Sequence, residues 1–192
     1  GANTTASSNT AVGSAALLAN TTGTLNTAVG AGALQANTTA NSNTAIGDIA
    51  LTSNTTGATN TAVGRNALGA NTTASNSTAV GHGALETQTT GADNTAVGYA
   101  ALATTNHTRN LGIGYRALTA QSGTSDNIAI GYDALVRQTT GANGNLAIGN
   151  YAGRAVVSSA STSQLIAIGQ SVASSNTGAL AGYQNTFIGY NI

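Results

Sequence analysis

The chain has 192 residues, with five Lys+Arg against five Asp+Glu and no formal net charge at neutral pH. That balance excludes an acidic or basic tail and removes the electrostatic footprint of a nucleic-acid binder. The absence of cysteine excludes disulfides and thiolate chemistry, and no apolar run long enough to predict membrane insertion occurs in this segment.

The first predicted element is the strand "NTAVG" at residues 9–13, and close copies follow at 26–30, 43–47, 60–64, 94–98 and 127–131. Its glycine recurs as Gly13, Gly30, Gly47, Gly64, Gly81, Gly98, Gly114, Gly131, Gly149, Gly169 and Gly189, with spacings of 16 to 18 residues as far as Gly149 and 20 after it. A period held along the whole chain predicts stacked repeats, so the fold class is all-β and the architecture a parallel β-solenoid. Coils of about 17 residues, about 11 of them at about 4.8 Å each, make a rod roughly 50 Å long. The chain opens at Gly1 without methionine and closes on "FIGYNI", which reads as a processed chain or a piece of a longer one.

Within each coil, the residue before the glycine is always branched and apolar, from Val12 and Val29 to Ile188, and Leu17, Leu34, Leu51, Leu68, Leu85, Leu102, Leu118 and Leu135 stand four places after it. These positions are too sparse for an amphipathic helix and suit a short strand with alternating faces. After the glycine turns the chain, "AL" is expected to open a second short strand, and "NTTG" or "NTTA" turns the chain back. In this reading Val and Leu fill a narrow interior. The alanine two places before the glycine then points outward, and the small column Ala28, Ala45, Ala62, Ala79, Ala96, Ala129 and Ala147 is a candidate interface for close approach of other copies around a three-fold axis. Residues 1–149 form the regular solenoid, and residues 150–192 continue it in longer, irregular coils with more apolar content at Val156–Val157, Leu165–Ile166 and Phe187.

The strings "NTAVG", "NTAIG", "NLAIG" and "LIAIG", separated by short polar returns, resemble the "SVAIG"-type repeats in the heads of trimeric autotransporter adhesins. They are also similar to the "NTA-[VIL]-G-x-x-A-L-x-x-N-T-T-G" arrays of tail-fibre-like and phage-derived proteins. The resemblance covers nearly the whole chain. It implies a left-handed β-roll or β-helix assembled as a homotrimeric fibre, extracellular, on a cell surface or on a virion.

Two columns are candidates for binding. The position after the glycine varies most, and Arg65, His82, Tyr99, Tyr115 and Tyr132 fall there in consecutive coils, flanked by Arg116 and Asp133. The rings can stack on one another and stiffen the rod, or offer apolar faces with polar tips to a glycan or cell-surface receptor. The second column pairs Asn20, Asn37, Asn54 and Asn71 with Thr22, Thr39, Thr56, Thr73 and Thr90. It is expected to form hydrogen-bonded ladders at the turns, and the alternative use of such an array is ice binding. Because adjacent threonines on a strand face opposite ways, "TT" supplies one outward column where an ice-binding plane wants a Thr-x-Thr pair.

Chemistry has little support. Asp48, Glu86, Asp93, Asp126 and Asp133 are scattered over different repeat positions, and His82 and His107 lie in different columns. No catalytic residue, cofactor or metal is therefore expected. A fibre-borne glycan hydrolase, with carboxylates meeting between chains, is the remaining enzymatic alternative. The function expected is a structural or adhesive fibre segment, shaft or head, that displays a repetitive surface for multivalent attachment.

Overall fold

The computed structural model describes residues 5–121, 124–138, 143–154, 164–174 and 184–192. It is a β-solenoid. Eleven strands form one parallel sheet, in this order: β1 (Thr10–Val12), β2 (Thr27–Val29), β3 (Thr44–Ile46), β4 (Thr61–Val63), β5 (Thr78–Val80), β6 (Thr95–Val97), β7 (Leu111–Ile113), β9 (Ile128–Ile130), β11 (Leu146–Ile148), β12 (Gln164–Ile168) and β13 (Gln184–Ile188). A second parallel pair joins β8 (Ala120–Gln121) to β10 (Arg137–Gln138).

The sequence repeat sets the register. Thr27, Ala28 and Val29 lie opposite Thr44, Ala45 and Ile46, and the same three positions continue to pair from coil to coil. The longer coils keep this register, since Leu146, Ala147 and Ile148 pair with Ile166, Ala167 and Ile168. Val156 and Val157 lie outside the described residues.

Two expectations about the coil are corrected. The "AL" segment is a tight turn rather than a second strand: Leu34, Leu51 and Leu68 all adopt φ near 50°. Its backbone still bonds to the next coil, Leu34 N–H donating to the carbonyl of Ala50 at 3.0 Å. Inside and outside are also exchanged on the sheet. Ala28, Ala45, Ala62, Ala79, Ala96, Ala129 and Ala147 are all 0% exposed, in the interior of a single chain, so they are not an outward column and offer no surface to another copy.

Val and Ile face out instead, Ile46 at 41% exposure, Val80 at 36% and Ile148 at 37%. The cause is the width of the coil. The fully buried leucines reach across from the opposite wall, leaving the sheet side room for a methyl group and little more. Gly112 shows the limit, because a Cβ there would already sit 3.1 Å from Cγ of Leu102. Since Thr and Val are two residues apart, both belong to the outer face.

The repeated glycine is required by the stacking. Gly47 has φ of 139°, and a Cβ on it would come within 2.5 Å of the carbonyl oxygen of Gly64 in the next coil. No side chain fits between coils at that turn.

Candidate functional site

Three columns run along the rod, and each grows from one repeat position. The first is interior and polar. Asn20, Asn37, Asn54 and Asn71 are buried in register, and the Nδ2 groups of Asn37, Asn54 and Asn71 each donate to the Oδ1 of the preceding asparagine, at 2.9, 3.0 and 2.8 Å. The same amides also donate to carbonyls three residues on, as Asn54 does to Gly57 at 2.9 Å. The expected asparagine ladder is therefore present.

The threonines divide by position. Oγ1 of Thr38 and Thr55, the first of each pair, donates to the carbonyl of the residue in the same place one coil on. Thr22, Thr39, Thr56, Thr73 and Thr90, the second of each pair, are exposed in register, and their side chains have no hydrogen bond among the described residues. A further asparagine ladder, which the sequence reading missed, lies four places before the glycine. Asn43, Asn60 and Asn110 each accept from a backbone N–H of the following coil at 2.9 to 3.0 Å. The signal was the "N" opening each "NTAVG", which reads as a turn residue when taken alone.

The second column is the ridge that follows the glycine. The His82 and Tyr99 rings stack with centroids 5.3 Å apart, Tyr99 and Tyr115 at 5.2 Å, and Tyr115 and Tyr132 at 4.9 Å, all within 10° of parallel. Tyr151, two places after its own glycine, closes the series edge-on against Tyr132. Arg154 lies over the Tyr151 ring at 5.1 Å. At the other end Arg65 reaches Nε2 of His82 at 3.1 Å and pairs with Asp48 at 3.4 Å.

The ridge thus collects Arg65, His82, Tyr99, Tyr115 and Tyr132, as expected, and adds Asp48, Tyr151 and Arg154. Ring faces are occupied by neighbouring rings, which leaves edges and phenol hydroxyls toward solvent. Tyr99, Tyr115 and Tyr132 are 50%, 40% and 41% exposed. Desolvation by its neighbours, followed by Tyr151 and Asp133, raises the Tyr132 phenol above its ordinary pKa, so it stays a hydrogen-bond donor.

Beside the ridge, Asp133 is almost fully buried between two half-exposed arginines, Arg116 at 3.7 Å and Arg154 at 3.8 Å. Its Oδ1 has no hydrogen-bond partner. The other carboxylates are each engaged. Arg109 holds Asp126 through two hydrogen bonds, at 2.6 and 3.0 Å, keeping its pKa below the usual carboxylate value. Glu86 accepts from Asn66, and Asp93 from Asn76. Among the described residues no three His, Asp or Glu side chains gather where a metal could bind, and no helix is long and apolar enough to cross a membrane.

The third column is the outer face of the sheet. Val12, Ile46, Val80, Val97, Ile113, Ile148 and Ile188 are all exposed there, in an aliphatic line that runs from the first coil to the last. The column beside it is threonine through Thr95 and becomes Leu111, Ile128, Leu146 and Ile166 in the later coils. There the face is two aliphatic columns wide.

The fold and its columns define a repeat protein of the parallel β-solenoid class. No family model matches the chain, and neither a curated protein nor a solved structure matches it.

Proposed function

We propose that this chain is a segment of a homotrimeric attachment fibre, with three rods packed side by side through the outer faces of their sheets. The observation that carries this reading is the uninterrupted Val/Ile line on that face, with Ile46, Ile113 and Ile148 each more than a third exposed. Contiguous apolar surface of this kind on a soluble chain marks an interaction site. Identical rods aligned in parallel bring each aliphatic residue against its own copy, coil after coil, so one short contact is repeated along the whole length. The ridge after the glycine then points to solvent three times around the axis, and weak contacts made there add by avidity. Such a fibre belongs outside the cell, on a cell surface or a virion, with a glycan or surface receptor as its partner.

Light scattering behind a sizing column tests the reading. The expected mass is three times that of the 18.6 kDa chain, and a stable monomer overturns it.

The same face supports a second reading. Thr27, Thr44, Thr61, Thr78 and Thr95 stand beside Val29, Ile46, Val63, Val80 and Val97 on a regular sheet, two residues apart in each coil. Alternating hydroxyl and methyl groups on one regular plane suit ice binding, provided that the plane is free. A monomer that slows ice recrystallisation favours this reading; a trimer without that activity removes it.

A further inference from the structure

The ridge does not use its ring faces for a ligand. His82, Tyr99, Tyr115 and Tyr132 cover one another face to face, and Tyr151 packs edge-on against Tyr132 at the far end, while Arg65 meets the edge of the His82 ring at Nε2. Stacking a sugar ring or a nucleobase on Tyr99 or Tyr115, each with a ring on both sides, would require the column to open. What the column presents is its rim, and the rim of an aromatic ring is its electropositive part.

That rim also carries unused donors. Among the described residues, the hydroxyls of Tyr99, Tyr115 and Tyr132 have no hydrogen-bond partner. Arg116 and Arg154 stand at 45% and 50% side-chain exposure and share a single carboxylate, Asp133, at distances too long for hydrogen bonds. Two guanidiniums against one buried carboxylate leave one positive charge at this end of the ridge. At the Arg65 end, by contrast, the cation is matched by Asp48.

Resting on the attachment role above, we infer that the ridge binds a carboxylate-bearing linear polysaccharide laid along the rod. Tyr99, Tyr115 and Tyr132 donate to its oxygens, and Arg116 and Arg154 receive its carboxylates. Regular spacing of 4.9 to 5.2 Å between the three tyrosine rings suits a ligand whose acceptors recur along an extended chain. Guanidinium groups with free N–H donors match carboxylates in charge and geometry. Nucleic acid fits poorly, because its bases would find both faces of Tyr99 and Tyr115 occupied and the chain has only five Lys and Arg residues.

The probe is an oligogalacturonate of defined length, with its fully methyl-esterified form as the uncharged control, titrated calorimetrically at low salt. The acid form is expected to bind about tenfold or more tightly than the ester, and to weaken as salt is raised. Arg116→Gln with Arg154→Gln is expected to lower that affinity about tenfold. A triple variant, Tyr99→Phe, Tyr115→Phe and Tyr132→Phe, keeps the stack and removes only the hydroxyls, and it is expected to weaken binding with an unchanged melting temperature. Equal affinity for acid and ester, binding by neither, or full affinity in the arginine variants overturns the inference. Native mass measured on the same samples separates it from the fibre reading. A trimer that does not bind oligogalacturonate overturns the ligand alone, and a monomer that binds it overturns the trimer alone.

Discussion

A leucine at φ near 50° is unusual, since the left-handed region strains any residue with a Cβ by about 1–2 kcal/mol. Here Leu34, Leu51, Leu68, Leu85, Leu102 and Leu118 all adopt it, and each is completely buried. Burial of a leucine contributes about 1.5–3 kcal/mol, enough to hold the turn in place. Two places earlier in each coil, residues such as Ile49 and Ala100 are also left-handed, and the chain itself puts glycine there at Gly32 and Gly83. The leucine reaching inward is the reason the sheet side admits only alanine. Ala62→Val should therefore overpack the coil and destabilise it by about 1–3 kcal/mol in urea denaturation; a neutral result would mean that the coil has room the structure does not show. This is also where the sequence misleads. Hydrophobicity assigns Val63 to the core and Ala62 to the surface, whereas the width of the coil, which depends on where Leu68 points, assigns them the other way.

At the scale of the coil, the polar ladders do what a larger core does in a globular domain, by satisfying the turns where no side chain can pack. One coil shows how the two ladders compensate for each other. Ser77 replaces asparagine in the column before the strand, and in the same coil Gln88 replaces asparagine in the turn column. The longer Gln88 amide crosses the interior, donating to Ser77 Oγ at 3.2 Å and accepting from Asn94 at 2.9 Å. The consequence is an orphan, because Oδ1 of Asn71 loses the donor that the next asparagine would have supplied.

Removing Gln88 with Gln88→Ala should cost about 1–3 kcal/mol, the usual penalty for leaving buried polar groups unpaired. Ser77→Asn combined with Gln88→Asn rebuilds both ladders and should be more stable than the sum of the two single variants predicts. Additive effects would contradict the crossing. The period of the repeat, the strand positions and the Asn20 ladder were all legible in the sequence, since each is a one-dimensional pattern. The Ser77–Gln88 crossing was not, because it depends on two columns facing each other across the coil.

At the scale of the whole molecule, each coil contacts only its neighbours, so length and stiffness come from repetition rather than from one central core. The interior is narrow and filled by alanine, leucine and asparagine. The larger branched residues are left on the outer sheet face, in a line as long as the rod. The ridge of rings lies on a different column and remains available when the sheet face is covered. The aromatic column was legible as a stack, but the closing of its faces was not, because Tyr151 and Arg154 approach from other positions in the coil.

The most direct test of the central claim is the sedimentation-equilibrium mass of the wild-type chain beside Ile113→Glu with Ile148→Glu. Both isoleucines point outward and are more than a third exposed, so the coil itself should tolerate the change. The account predicts three times 18.6 kDa for the wild type and a folded species of 18.6 kDa for the variant. A monomeric wild type, or a variant that remains trimeric, would contradict it.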